Sequence, residues 1–152
     1  MSGPEDELAW VERVAAFFAR QNGLPLITGR VLGWLMICDP PEQTAAEIAD
    51  AIGASKASLS TAVRVLEAAG FVQSVTRPGG RGVRLRVVDD VWQRVAQRRL
   101  ASLGAFSEIT GDGLRLLDDD PVRGERIRGA HRLFTWLERE LPPLWERWER
   151  SP

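Results

Sequence analysis

The chain has 152 residues, 44% of them apolar, and 20 basic side chains against 21 acidic ones leave a formal charge of −1. That length suits one domain or two tightly joined ones, with enough apolar residues for a buried core. A single cysteine, Cys38, excludes an internal disulfide, a single histidine, His131, excludes a His-rich metal site, and no apolar run approaches the ~18 residues of a membrane span. The acidic start, MSGPEDELAW, lacks the basic n-region of a secretory signal, and with the lone cysteine it leads to the expectation of a cytoplasmic protein.

In chain order, Pro4 to Gln21 is the first predicted helix. Glu5, Asp6 and Glu7 lie in its first turn, where negative charge suits the helix dipole, and Leu8, Val11, Val14, Ala15 and Phe18 form its apolar face. Asn22-Gly23 ends it, and Leu24-Pro25-Leu26-Ile27 is a connector. A second helix, starting at Thr28 or Gly29 and running to about Asp39, is apolar nearly all round, so Trp34, Leu35 and Ile37 are expected in the core. Asp39-Pro40-Pro41-Glu42 breaks it.

Thr44 to Val88 carries the densest set of local signals. Thr44 and Glu47 make a capping box for a short Ala-rich helix that stops at Ile52-Gly53. Ser55 sits where a second N-cap belongs, and Leu59, Val63 and Leu66 give the next helix one buried face up to Gly70. Two helices joined by a short glycine-containing turn form a helix-turn-helix. Phe71 to Arg77 then reads as a strand, Pro78-Gly79-Gly80-Arg81-Gly82 as a turn, and Val83 to Val88 as a strand alternating apolar residues with Arg84 and Arg86. A hairpin directly after the second helix makes a winged helix with an arginine at its tip. From Gly53 to Val88 there are six basic residues (Lys56, Arg64, Arg77, Arg81, Arg84, Arg86) against one acid, Glu67, a net of +5 in a chain that is otherwise acidic. A local basic patch is the electrostatic footprint of nucleic-acid binding.

Asp89 or Asp90 caps a long helix from Val91 to about Leu117, with a weak point expected at Gly111, where glycine disfavours a helix interior. Asp118-Asp119-Asp120 reads as helix stop and cap, since cation cages draw their oxygens from spaced positions. A final helix from about Val122 is expected to be interrupted at Pro142-Pro143, with Leu144, Trp145 and Trp148 on a last segment. These flanking helices hold more aromatic and aliphatic residues than a small winged helix covers, and a symmetric homodimer is the commonest solution. The expected organisation is therefore mainly α with a small β-wing: an N-terminal dimerisation helix at 1–23, a winged helix-turn-helix DNA-binding lobe at 24–88, and C-terminal dimerisation helices at 89–152.

The stretch GRVLGWLMICDPPEQTAAEIADAIGASKASLSTAVRVLEAAGFVQSV, set within this order of elements, resembles the MarR family of regulators and is especially similar to its GbsR-type branch. The resemblance covers about Leu24 to Val88. It implies a homodimeric bacterial transcriptional regulator, usually a repressor, with double-stranded DNA as partner and, in many members, a small-molecule effector or an oxidation response. MarR-type wings often carry an Asp-x-Arg motif before the tip, where the acid orients the arginine. Here the tip reads Arg77-Pro78-Gly79-Gly80-Arg81, with no Asp.

The candidate DNA contacts are Ser55, Lys56, Ser58, Ser60, Thr61 and Arg64 on the second helix of the motif, whose N-terminal part enters the major groove in such folds, and Arg77, Arg81 and Arg84 on the wing. A solvated helix face and the wet side of a hairpin are the bland alternatives, and Ser55 reads as a cap before it reads as a contact. Cys38 reads as a buried small hydrophobe rather than a redox switch, because Asp39 beside it offers no basic neighbour. The tryptophans read as core or interface, with Trp34 and Trp92 the candidates for an effector pocket. Without a Gly-rich phosphate loop or a nucleophile constellation, neither catalysis nor a cofactor or metal is expected. The rival reading is a winged helix used for protein–protein interaction without a DNA partner, which would not need the +5 stretch.

Overall fold

A computed structural model of the chain describes residues 3–152; Met1 and Ser2, the first residues of the expected N-terminal segment, lie outside the described residues. The elements are α1 (Pro4–Asn22), α2 (Leu26–Ile37), β1 (Gln43–Thr44), α3 (Ala45–Ile52), α4 (Lys56–Ala68), β2 (Val72–Val75), β3 (Arg84–Val87), α5 (Val91–Leu116) and α6 (Pro121–Glu149). The strands form one antiparallel sheet in the order β1-β3-β2. The architecture is a mainly helical winged helix-turn-helix. It divides into two compact units, one ending at Val91 and one running Trp92–Pro152.

Helix α1 starts on Pro4, with the Asp6 carboxylate accepting from the Gly3 amide at 3.0 Å, and stops at Gly23, whose φ of 65° only glycine adopts freely. Its buried stripe is Val11, Ala15 and Phe18, which packs on α2. Two glycines of α2 set that crossing. A Cβ at Gly29 would fall 2.6 Å from the Ala15 Cα, and one at Gly33 would fall 3.3 Å from the Val11 Cα. The helices thus meet nearly backbone to backbone, and an Arg30–Glu12 pair, Nε to Oε1 at 2.5 Å, spans them at the surface.

Helix α2 departs from expectation at both ends and on one face. It begins at Leu26, because the Pro25 carbonyl already accepts from Thr28 and Gly29, and it ends at Ile37, with Cys38 in extended conformation. Val31, Leu32 and Leu35 are buried, but Trp34 is only half-buried and Ile37 is 36% exposed. The helical period points Leu26, Met36 and Ile37 away from α1 and α4, so an apolar run does not make every face a core face.

The hairpin is shorter than the sequence suggests and carries one strand more. Val72 pairs with Val87 and Val75 with Arg84, while β1 adds Gln43 opposite Leu85. Strand β1 is two polar-looking residues, yet Gln43 is buried and its Oε1 accepts the Trp34 indole N–H at 2.8 Å.

In the second unit α5 runs through Gly111 and Gly113 unbroken. These glycines are close-approach positions: a Cβ at Gly111 would lie 3.3 Å from the His131 ring, and one at Gly113 would lie 3.1 Å from Ile127 Cδ1 of α6. Helix α6 is capped by Asp120, whose carboxylate accepts from the Arg123 amide at 3.1 Å, and continues through Pro142-Pro143 rather than breaking there. Both prolines are exposed, where water can serve the carbonyls that their missing N–H groups leave over. Among the described residues no helix is long and apolar enough to cross a membrane.

Candidate nucleic-acid interface

The helix-turn-helix is built by two side-chain caps, the first of them reciprocal. At α3 the Thr44 hydroxyl accepts from the Glu47 amide at 3.2 Å while the Glu47 carboxylate accepts from the Thr44 amide at 2.8 Å. The chain leaves α3 through Gly53 at φ 66° and enters α4 at Ser55, whose hydroxyl accepts from the Ser58 amide at 3.2 Å and meets the Ser58 hydroxyl at 2.5 Å. Leu59, Ala62 and Leu66 are buried and Val63 is half-buried, which fixes the roll of α4 about its axis. Lys56, Ser60, Thr61 and Arg64 are therefore exposed together, with Lys56, Ser60 and Arg64 four residues apart on one stripe.

The nine candidate contacts fall into two sets. Ser55 and Ser58 hold the cap, and Thr61 donates back to the Ala57 carbonyl at 3.2 Å. On the wing, Arg77 grips Glu42 in a two-pronged fork, Nε to Oε2 at 3.0 Å and a second nitrogen to Oε1. Arg84 donates to the Glu42 main-chain carbonyl at 3.3 Å and lies 3.5 Å from the Glu47 carboxylate. Arg86 pairs with Asp89. By contrast the side chains of Lys56, Ser60, Arg64 and Arg81 make no hydrogen bond or ion pair among the described residues. The tip is shaped by Gly79 at φ 74° and Gly82 at φ 77°, with Gly80 donating to the Arg77 carbonyl at 3.0 Å, and it leaves Arg81 open to solvent.

This pairing changes the charge picture. Glu42, Glu47 and Asp89 lie just outside the Gly53–Val88 stretch, and counting them brings the local surplus from +5 to +2. The available positive charge is thus concentrated on α4 and the wing tip. The Arg77 guanidinium, through its hydrogen bond first, holds the Glu42 carboxyl below the usual carboxylate range, with Arg86 and Arg84 adding attraction from further off. Sequence reasoning missed Glu42. It stands 35 residues from Arg77, and no local pattern links the two.

The remaining candidates are placed as follows. Trp34 directs its indole N–H to Gln43, and Trp92 is 39% exposed at the start of the second unit. Cys38 is buried, its thiol 3.8 Å from the Leu35 carbonyl.

A family model described as MarR family matches residues 22–82, and a second, described as MmpR5-like MarR family transcriptional regulator, matches residues 90–151. The HTH-type transcriptional regulator MmpR5 of Mycobacterium tuberculosis is 30% identical over 139 residues, covering 91% of this chain and 84% of the relative. A crystal structure of a transcriptional regulator superposes with a TM-score of 0.71 at 28% identity, over 96% of this chain and 99% of that one. These are regulators, not enzymes. The chain belongs to the MarR family of DNA-binding transcriptional regulators.

Proposed function

We propose that the chain acts as a homodimeric, sequence-specific repressor that places α4 in the major groove and Arg81 against the flanking backbone or minor groove, and that a small-molecule effector releases it. The observation that carries this reading is the separation of free from paired cations. Lys56 and Arg64 on one helix face and Arg81 at the wing tip are without acid partners, while the arginines at the wing base are neutralised. Free cations release counterions when they meet phosphate, and a well-placed arginine reads guanine bidentately. A two-fold protein matches a two-fold operator, and the exposed apolar residues of α5 and α6, among them Ile109, Leu133 and Trp136, supply a face for a second copy. An effector would act by favouring a dimer whose recognition helices no longer match the operator spacing. The hollow of about 520 Å³ along α5 and α6, lined by Leu100, Gly104, Leu141 and Trp145, has the size and apolar character of a small-molecule site. The placement in the GbsR-type branch rests on the sequence of the DNA-binding lobe alone.

The test is fluorescence anisotropy of the full chain with a labelled duplex from its own upstream region and with a scrambled duplex, across salt. Three free cations per chain give a dimer a log–log salt slope of about −5. A strong preference for the upstream duplex with that slope supports the reading, and a library of apolar small molecules can then be screened for release. Equal weak binding to both duplexes would favour a protein-docking winged helix, and absence of binding at low salt would remove the DNA reading.

A further inference from the structure

The tip of the wing has no anchor of its own. Residues 78–83 read PGGRGV, with no acid, and all are exposed. The ladder that pairs the hairpin with β1 has only two residue pairs. The hairpin strands are held by the buried Val72 and Leu85 and by the Ser74 hydroxyl donating to Glu67 of α4, whereas the two arginines that flank the tip turn are held by a polar contact from outside the hairpin. Glu42 receives the Arg77 fork on its carboxylate and Arg84 on its main-chain carbonyl, so one residue holds the last residue before the tip turn and the first residue of the returning strand. The acid is the sheltered partner, with 17% of its side chain exposed against 61% for Arg77. It follows Pro40-Pro41, whose rings lock φ and stiffen the segment that carries it. A sheltered acid holding an exposed arginine by a planar fork fixes orientation as well as distance.

We propose that Glu42 is a positioning residue for DNA recognition, clamping the wing base through Arg77 and Arg84 so that Arg81 is presented to the duplex in one place. This rests on the DNA-binding reading above. It means that Arg77 serves as part of the clamp and not as a phosphate contact. The alternative geometry, in which Glu42 merely masks Arg77 until phosphate displaces it, makes the opposite prediction for removal of the acid.

The experiment is a double-mutant cycle on the full chain, with wild type, E42Q, R81A and E42Q/R81A titrated against the upstream duplex and each variant checked for folding by thermal melt. E42Q is expected to weaken binding about fivefold, and R77K, which keeps the charge but loses the fork, by a similar factor. In the R81A background the E42Q effect is expected to shrink below about twofold, because the clamp acts through the tip. Tighter binding by E42Q would make Glu42 a mask, and an equal loss with and without Arg81 would make its role generally structural; either overturns the proposal. A readout that needs no DNA separates this failure from failure of the DNA reading: NMR order parameters of the Gly79, Gly80 and Gly82 amides in free protein should fall in both E42Q and R77K. Unchanged order at the tip overturns the clamp whatever the duplex does. If E42Q fails to fold, R77K and R77K/R81A carry the cycle.

Discussion

Val31, Leu32, Ile48 and Leu66, all in the unit ending at Val91, are closed to solvent, whereas Leu116 and Val122 of the second unit stand 84% and 83% exposed. The contrast extends across both units. Among the described residues every buried hydrophobic side chain lies at or before Val91, and beyond it the buried residues are Ser107, Thr110 and Gly124. Helices α5 and α6 hold each other by small and polar groups and an aromatic pair. His131 meets Thr110 Oγ1 at 2.9 Å, Ser107 donates to Glu138 at 2.6 Å, and Phe106 and Phe134 pack edge to face at 4.9 Å. The first unit has four helices and a sheet to close a core, but a two-helix hairpin has only one neighbour per helix and leaves most of its apolar surface outward. In the proposed homodimer a second copy would cover these exposed apolar residues.

The largest effect is expected from breaking that face. Leu133→Glu with Trp136→Glu should raise the dimer dissociation constant by at least about a hundredfold, read by mass photometry, because each change buries a charge in an apolar contact. Affinity for the upstream duplex should fall with it, since two half-sites are no longer engaged through one dimer. A variant that stays dimeric would assign the interface to other surfaces and leave the exposed face unexplained.

Next come paired substitutions across the two units. Leu59→Ala removes a fully buried side chain of α4 and should cost about 2–4 kcal/mol in urea unfolding. Leu116→Ala removes an exposed one and should cost less than about 0.5 kcal/mol. If the Leu116 cost instead grows with protein concentration, that residue belongs to the dimer contact, because association stabilises only the folded chain.

Within the first unit the comparison recurs between free and paired cations. Arg64→Ala should lose about 1–3 kcal/mol of specific binding and blur the choice between upstream and scrambled duplex. Arg81→Ala should weaken both duplexes alike and reduce the salt slope by about one per chain. Arg86→Ala should do neither, since its charge is already answered by Asp89. Anisotropy on the three variants ranks them, and a loss for Arg86 equal to that for Arg64 would overturn the division into free and paired sets.

These contrasts also explain what could be read from the sequence. The helix-turn-helix was legible because its signals are local. Thr44 with Glu47 and Ser55 with Ser58 are contacts three residues apart, and Gly53 stops the helix where it stands. The open face of α4 followed from the position of Leu59 and Leu66. What escaped was set at a distance. Strand β1 exists because Leu85 lies opposite Gln43, and the Glu42–Arg77 fork spans 35 residues. Gly111 looked like a weak point because helix propensity is a property of one helix, whereas its value, like that of Gly113, is the close approach of a side chain from another, His131 and Ile127 respectively. The same reason defeats the reading of Ile37 as core: its apolar character was plain, but which face of α2 meets α1 was not.

The smallest expected effect concerns Cys38, which separates a structural thiol from a sensor. It caps α2, its amide donating to the Trp34 carbonyl at 2.9 Å, and it is buried. Burial, first of all, pushes its thiol up; its own backbone hydrogen bond opposes this, and Asp39 and Glu47 add to the rise. A raised folded value favours the neutral thiol, so the contribution to stability is fully present below the unfolded value of about 8.5 and is lost as pH rises through the folded one. The thiolate is the nucleophile, so at about pH 8 the native protein should alkylate at least about tenfold more slowly than the chain in denaturant. Cys38→Ser should leave duplex affinity unchanged in peroxide and in reductant alike. Native labelling at the denatured rate would show a thiol that solvent reaches, and loss of duplex binding in peroxide that the serine variant resists would restore the redox reading.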